Sequence, residues 1–253
     1  MPSGRRRTPA YNRRHMRHVF SAVLLTLALA VQARAAGLTN LSMPLPGGGT
    51  LLYGLSVPDG YSPRQPRPLL LALHPGGERM RYYGSAYANA IVQPAAASLG
   101  AIIVAPDCPT NAWTDPDAET AVMTLLERVM SEYAVDRTRV VVVGYSIGGR
   151  GTWFFSSHHA ELFTAAVPMA GSTNEAVETL GTMPTYIIHS RRDQVMPFAS
   201  AERIAQQLER LGRTVRFEAL DSPTHYEMGA YVPALSRALA WVSTQWTLAR
   251  AKP

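Results

Sequence analysis

Near the middle of the chain, a run of four valines leads into a short segment in which a serine lies between glycines. Residues 140–143 are the valines, and residues 144–149 read Gly-Tyr-Ser-Ile-Gly-Gly, which puts Ser146 at the centre of a turn. The valine run is typical of a strand buried on both faces, and the residues after the turn are compatible with a helix. Such a turn lifts its central residue clear of the sheet, beside unpaired N–H groups that favour an anion. The pattern therefore predicts that Ser146 is a nucleophile for acyl transfer and that the Ile147 N–H group is the first oxyanion donor.

A serine hydroxyl near neutral pH needs a positioned imidazole to take its proton. Five histidines lie beyond residue 36, namely His74, His158, His159, His189 and His225. His225 lies far downstream, in a loop between a predicted strand at residues 214–220 and the last predicted helix, so it can fold back over the strand ends. We therefore predict His225 as the general base. His158 and His159 fit the end of a helix, and His189 fits a structural role at the end of a strand.

The imidazole in turn needs a carboxylate that fixes its tautomer and stabilises its cation. Asp193 follows the apolar residues 185–188 within a few positions, and ligands and catalytic groups gather at the carboxyl ends of parallel strands. We therefore predict Asp193 as the acid. Asp221 and Glu218 are alternatives because they lie close to His225 in the sequence, although nearness along the chain does not by itself place a carboxylate beside the imidazole.

A second donor to the oxyanion is expected from the loop after the apolar residues 69–73. Residues 74–78 of this loop read His-Pro-Gly-Gly-Glu. Pro75 has no N–H group, so the donor must be Gly76 or Gly77, and glycine permits both the backbone geometry and the close approach of a substrate. The alternative interpretation of the same residues is a plain proline–glycine turn.

Short apolar runs alternate with longer helical patterns along the rest of the chain. Strands are predicted at residues 51–57, 69–73, 101–105, 140–143, 165–167, 185–188 and 214–220, after an edge strand and turn within residues 38–49. Helices are predicted at residues 118–133, 147–158, 199–211 and about 232–248. This alternation implies a mostly parallel central sheet with helices on both faces. No repeat or linker divides residues 37–253, which are predicted to form a single catalytic domain.

The first 36 residues have the composition of a secretory leader. Six arginines precede an apolar run at residues 19–31, and residues 33–36 read Ala-Arg-Ala-Ala, the pattern of small residues that signal peptidase accepts. The apolar run is too short to span a bilayer, so removal after export is predicted and a membrane anchor is the alternative. The sequence therefore predicts a signal peptide at residues 1–36 and a secreted or periplasmic product with no stable membrane anchor.

The positive charge of the full chain belongs to this leader. It holds seven of the 24 basic residues and none of the 18 acidic ones, which leaves 17 basic against 18 acidic residues in the mature protein. A nearly neutral protein gives no electrostatic reason to bind nucleic acid or an anionic surface. Cys108 is the only cysteine, so an internal disulfide is excluded and the apolar core must supply the stability.

Several segments of the chain resemble a known family of enzymes. Residues 135–139 (Val-Asp-Arg-Thr-Arg), residues 149–153 (Gly-Arg-Gly-Thr-Trp) and residues 165–171 (Ala-Ala-Val-Pro-Met-Ala-Gly) resemble the secreted phospholipase/carboxylesterase-like hydrolases. Feruloyl esterases, polyhydroxybutyrate-depolymerase-like esterases and sequences described as peptidases are similar. The resemblance covers roughly residues 69–225 and implies the α/β-hydrolase fold, in which the chain order serine, acid, histidine is the expected one.

The resemblance also implies a substrate pocket. In such proteins the segment that resembles residues 105–113 borders the active-site cleft, so Trp113 is a candidate pocket wall, with structural packing as the alternative. Tyr145, beside the predicted nucleophile, is a second candidate for the pocket. Two positions depart from the family pattern, which usually has glycine where Pro75 and Ser190 stand.

Together these residues predict an exported serine esterase that hydrolyses carboxylic esters through an acyl-serine intermediate. Its partner is a small-molecule or polymer-borne ester, and the mechanism needs no metal or organic cofactor. One alternative is a serine peptidase of the same fold, since ester and amide attack use the same groups. Another is a non-catalytic binding protein on a hydrolase scaffold, which a complete set of serine, acid and histidine disfavours.

Overall fold

The computed structural model describes residues 37–78 and 80–251. The predicted leader, residues 1–36, lies outside these ranges. Within the described ranges, no helix is both long enough and apolar enough to cross a bilayer.

Within the residues that the structure describes, eight strands form one sheet. They are β1 (Thr39–Pro44), β2 (Thr50–Ser56), β3 (Arg67–Leu73), β4 (Ile102–Pro106), β5 (Val135–Tyr145), β6 (Ala165–Met169), β7 (Thr185–Ser190) and β8 (Val215–Leu220). Their order across the sheet is β1-β2-β4-β3-β5-β6-β7-β8. The pairs β1–β2 and β2–β4 are antiparallel, and every pairing from β4 to β8 is parallel. The parallel strands therefore all end at one edge of the sheet, where the loops after β3, β5, β7 and β8 meet.

The valines of β5 show why helices must cover both faces. Val141 and Val143 belong to one buried apolar cluster, Val140 and Val142 belong to another, and all four side chains are fully buried. Successive side chains of a strand point to opposite faces, so a layer of helices is needed on each side.

The six α-helices of the described ranges supply these layers. They are α1 (Tyr83–Tyr87), α2 (Gln93–Ala95), α3 (Pro116–Glu132), α4 (Ile147–His158), α5 (Phe198–Arg210) and α6 (Val232–Arg250). Residues of α1, α2 and α6 pack on the face of Val141, and residues of α3 and α4 pack on the face of Val140. Apolar residues of α5 pack with Trp153 of α4 and with Ile187 of β7.

The predicted fold class, a mostly parallel sheet flanked by helices on both faces, is confirmed. The predicted helix at residues 147–158 has the observed bounds, while β5 begins at Val135, five residues earlier than the valine run predicts. Charged residues at the start of β5 hide this extension, because they break the apolar run. The sequence also gave no sign of the helical segment of residues 83–95, where α1 continues through a π-helical turn (Ala88–Val92) into α2. Each of its pieces is too short to show a helical period.

Candidate active site

The turn between β5 and α4 holds Ser146 in a strained conformation. Its backbone has φ 57° and ψ −116°, a combination that residues other than glycine rarely adopt. The glycines around it are required by space. A Cβ on Gly144 would lie 2.1 Å from the Gly148 carbonyl oxygen, and one on Gly148 would lie 2.0 Å from the Leu73 carbonyl oxygen. The close passage of strand, turn and helix therefore depends on glycine at both positions.

The structure brings Ser146, His225 and Asp193 together from three strand ends. The Ser146 Oγ atom lies 2.8 Å from His225 Nε2, and His225 Nδ1 lies 2.7 Å from Asp193 Oδ2. Ser146 and His225 are buried but keep 7% and 8% of their surface exposed, whereas the Asp193 side chain has none. The array therefore opens to solvent at its end formed by Ser146 and His225, where a substrate would have to enter.

Both carboxylate oxygens of Asp193 accept hydrogen bonds. Oδ1 accepts the backbone N–H groups of Val195 at 2.9 Å and Met196 at 2.7 Å, and Oδ2 faces His225 and His189. Burial alone would raise the pKa of Asp193, but the hydrogen bonds from His189, His225 and the two amides outweigh it and hold the pKa well below its usual value. Asp193 is therefore an ionised carboxylate oriented toward the His225 imidazole.

His189 faces the same carboxylate oxygen of Asp193 as His225 does. Its side chain is fully buried, and its Nε2 atom lies 2.9 Å from the Met196 carbonyl oxygen and 3.3 Å from Asp193 Oδ2. Both neighbours are acceptors, so Nε2 carries the proton. The structural role predicted for His189 thus has a specific form, a donor that fixes the loop of residues 190–196 around Asp193.

The loops that carry Asp193 and His225 are tied to each other. Ser190 donates its hydroxyl to the Pro223 carbonyl oxygen, and the Gln194 side chain accepts the His225 N–H at 3.2 Å. Ser190 stands where the resembling family usually has glycine. In this chain its hydroxyl links the two loops directly, through the hydrogen bond to Pro223.

Tyr145 fixes the histidine loop through a hydrogen bond to its backbone. Its hydroxyl donates to the His225 carbonyl oxygen at 2.8 Å, and its ring lies 4.9 Å from the Tyr231 ring, centroid to centroid. Burial raises the pKa of Tyr145 well above its usual value, so the hydroxyl remains a donor. Tyr145, which the sequence predicts as a pocket residue, also lines the cavity at Ser146. Its hydrogen bond to the histidine loop was not predicted.

His74 organises the loop after β3. Its Nε2 atom accepts the Cys108 N–H at 2.9 Å, so the ring proton is on Nδ1, which donates to the Pro75 carbonyl oxygen at 2.6 Å. Burial lowers the pKa of His74, although the Pro75 carbonyl and Asp107 oppose this effect. His74 is therefore a neutral ring that shapes the loop of Pro75 and Gly76.

Trp113 packs beneath the same loop. It is 1% exposed, and its indole N–H group donates to the His74 carbonyl oxygen at 3.0 Å. Its Cβ atom lies where a Cβ on Gly151 would come within 2.6 Å. Trp113 lines neither of the two cavities beside this loop. Its contacts are those of a buried residue that packs the core, the alternative to a pocket wall.

Two cavities of about 330 Å³ each meet at the loop after β3 and share Pro75, Gly76 and Tyr83. The lining of the first, called here the serine-side cavity, is completed by Tyr145, Ser146, Val195, His225, Tyr226 and Met228. The second, called here the hairpin-side cavity, extends past Ile147 and Gly77 toward β2 and the residues after β4. Gly76 borders the serine-side cavity and Gly77 does not, so Gly76 is the better placed of the two predicted donors.

The two alternative candidates for the acid have partners other than His225. Asp221 is 88% exposed and faces Arg191 at 3.3 Å, while Glu218 accepts the Tyr186 hydroxyl at 2.6 Å and pairs with Arg237. His158 and His159 also lie away from Ser146. His158 lies 3.5 Å from Glu175, and His159 lies 2.8 Å from Glu119.

Residues 94–226, more than half of the chain, match the model of the dienelactone hydrolase family. The chain belongs to this family. The matched range contains Ser146, Asp193 and His225, and it bears out the predicted α/β-hydrolase resemblance.

Characterised relatives and solved structures agree with this assignment. Feruloyl esterase C of Emericella nidulans is 28% identical over 161 residues, which are 60% of this chain and 58% of the relative. A bifunctional acetylxylan esterase/xylanase of Neocallimastix patriciarum is 27% identical over 151 residues, 58% of this chain and 22% of the relative. The crystal structure of a thermostable esterase matches with a TM-score of 0.71 and 26% identity, over 82% of this chain and 62% of that one. The chain thus spans less than two thirds of the length of each of these proteins.

Proposed function

We propose that this protein is a serine esterase that hydrolyses carboxylic esters through an acyl-enzyme on Ser146. The observation that supports this best is the continuous hydrogen-bonded array from Asp193 through His225 to the Ser146 hydroxyl, on a strained turn beside a cavity. The names of the relatives, a feruloyl esterase and an acetylxylan esterase, support esters as the substrate class.

In the first half of the reaction the Ser146 oxygen attacks the carbonyl carbon, and its proton passes to His225 Nε2. The carbon–oxygen bond to the alcohol then breaks, and His225 returns the proton to the leaving oxygen. In the second half a water molecule attacks the acyl carbon and gives a proton to His225. The bond from the acyl carbon to the Ser146 oxygen then breaks, and His225 returns that proton to the Ser146 oxygen as the acid is released. Asp193 stabilises the imidazolium in both halves because it remains ionised.

The negative charge of each tetrahedral intermediate would be held by the backbone. The Ile147 N–H group is at the first position of α4, where no intrahelical acceptor exists for it. Gly76 supplies the second N–H group from the loop after β3, where its ideal Cβ position is 3.5 Å from the Ile147 side chain. A Cβ at Gly76 would be in ordinary van der Waals contact with that side chain, and any longer side chain there would take up space beside the Gly76 N–H group.

A fluorophosphonate probe tests the nucleophile directly. In the folded protein we expect Ser146 to displace fluoride from phosphorus, with its proton taken by His225, and to form a stable adduct that peptide mass spectrometry locates. His225→Ala should prevent labelling because the proton acceptor is lost. An unlabelled folded protein, or an adduct on another serine, would contradict the proposal.

Paired substrates separate an esterase from a peptidase of the same fold. We expect p-nitrophenyl butyrate to be hydrolysed and peptide p-nitroanilides to react far more slowly. The aniline of an anilide is a poorer leaving group than p-nitrophenolate, and its nitrogen must be protonated by His225. Turnover of the anilide at a comparable rate would assign the protein to the peptidases.

We further propose that residues 1–36 direct export and are removed, so that residues 37–253 form the mature catalytic domain in a secreted or periplasmic location. The support is the arginine-rich start, the apolar run at residues 19–31 and the small residues that follow it. Expression of the full chain in a host with an export system, followed by N-terminal sequencing of the exported protein, should give a start near residue 36 or 37. An intact N-terminus in the cytoplasmic fraction would contradict this.

A further inference from the structure

We propose that the alcohol part of the substrate ester binds against the ring of Tyr226 and that this surface selects a neutral, ring-bearing alcohol. The inference rests on the proposed function, in which Ser146 is the nucleophile and His225 protonates the leaving oxygen. It adds the part of the substrate that the array itself does not specify.

The side on which the alcohol leaves follows from the position of His225. Its Nε2 atom, 2.8 Å from Ser146 Oγ, must deliver the proton to the leaving oxygen, so the alcohol lies on the histidine side of the cleft. The serine-side cavity is the one that contains His225, together with Tyr226, Val195 and Met228. The hairpin-side cavity contains none of these four residues and is therefore left for the acyl part.

A rigid turn presents Tyr226 on this side. The Glu227 N–H group donates to the Thr224 carbonyl oxygen at 3.2 Å, which makes His225 and Tyr226 the central residues of a four-residue turn. The Glu227 carboxylate accepts both the Thr224 N–H at 2.7 Å and the Thr224 hydroxyl at 2.8 Å, which closes the turn a second time. The same turn thus fixes His225 and its neighbour Tyr226.

The two central residues point in different directions. His225 is 8% exposed, whereas Tyr226 is 78% exposed and its ring is nearly perpendicular to the imidazole, with the centroids 6.0 Å apart. Val195, across the cavity, is also exposed, at 44%. Two large apolar side chains held in solvent beside the leaving-group position form a surface that a bound alcohol would cover.

The chemistry of the lining indicates the kind of alcohol. Among the described residues, no Asp, Glu, Lys or Arg lines the serine-side cavity, whereas Arg81 and Asp107 line the hairpin-side cavity. A charged alcohol would find no counter-ion on the serine side, and a simple alkyl alcohol has no flat face to stack on the Tyr226 ring. An aromatic face stacks on the flat apolar side of another ring, so a phenyl ring or the C–H face of a sugar ring fits this surface.

Acetate esters of three alcohols test the inference: an O-acetylated methyl xylopyranoside, benzyl acetate and ethyl acetate. All three give the same acetyl-enzyme, so a difference in kcat/KM among them reports only on the alcohol part. We expect Tyr226→Ala to lower the ratio of kcat/KM for a ring-bearing ester to that for ethyl acetate by about 3- to 10-fold. Tyr226→Phe should keep the ratio, because the ring face and not the hydroxyl makes the contact.

Leu248→Ala is the matched control, since Leu248 is another exposed apolar residue, 54% exposed, on α6 and outside both cavities. A fall in the ratio for the sugar ester alone identifies a carbohydrate alcohol, and a fall for the benzyl ester alone identifies an aromatic alcohol. An unchanged ratio for both esters in Tyr226→Ala would overturn the inference while leaving the esterase proposal intact. If wild-type protein hydrolyses none of the three and Ser146 is not labelled by the fluorophosphonate, both proposals fail.

Discussion

Replacement of Ser146 by alanine is expected to reduce kcat/KM for p-nitrophenyl butyrate by about 10⁵- to 10⁶-fold. In the proposed mechanism the change removes the atom that forms the covalent intermediate, and the remaining His225–Asp193 pair can act only on water. A loss of this size corresponds to about 7–8 kcal/mol of transition-state stabilisation. Initial rates with the purified variant, corrected for hydrolysis in buffer, measure it.

The Ser146→Ala variant should fold as the wild type does, because alanine also has a Cβ and meets the same strain at φ 57°. The matched control is Ser156→Ala within α4, the helix that follows Ser146, because the Ser156 hydroxyl donates to the Trp153 carbonyl oxygen at 3.1 Å. We expect Ser156→Ala to keep its activity. If Ser146→Ala has native circular dichroism and still hydrolyses the ester, the nucleophile is another group.

The residues of the active-site array could be predicted because each is marked by its neighbours in the sequence. Ser146 follows a run of buried valines and lies between glycines that tight packing requires. Asp193 follows the buried strand β7, and His225 lies in the only loop between the last strand and the last helix in the described chain. In a parallel sheet these loops lie at one edge, so the topology places them together before any side chain is considered.

The groups that support the array could not be predicted in the same way. Tyr145 reaches a carbonyl group 80 residues away, Ser190 one 33 residues away, and Gln194 an N–H group 31 residues away. Such contacts depend on how loops from different strands settle against each other, and they leave no periodic pattern in the sequence. Trp113 shows the same limit, because a tryptophan that packs under a loop and one that faces a cavity look alike in a sequence.

Asp193→Asn is expected to lower kcat by about 10⁴-fold while leaving the fold intact. The structure gives a specific reason. Oδ1 of Asp193 accepts two backbone N–H groups, from Val195 and Met196, so an asparagine must place its amide oxygen there. Its NH₂ group then faces His225 Nδ1, which must accept, and the imidazole proton moves to Nε2. An Nε2 that already carries a proton cannot take one from Ser146. Steady-state kinetics with p-nitrophenyl butyrate give the loss in kcat.

Asp221→Asn is the matched control, because it makes the same change at the residue directly after β8 rather than in the array. Asp221 is 88% exposed and its only ion pair in the described chain, with Arg191, is at the surface, so we expect its loss to change kcat less than about twofold. The comparison decides which carboxylate orients His225. A large loss in Asp221→Asn together with a small one in Asp193→Asn would mean that the histidine loop turns toward Asp221 in the working enzyme. The reverse ranking, with native near-ultraviolet circular dichroism in both variants, would assign the orientation of the imidazole to the buried carboxylate that His189 and two backbone amides hold in place.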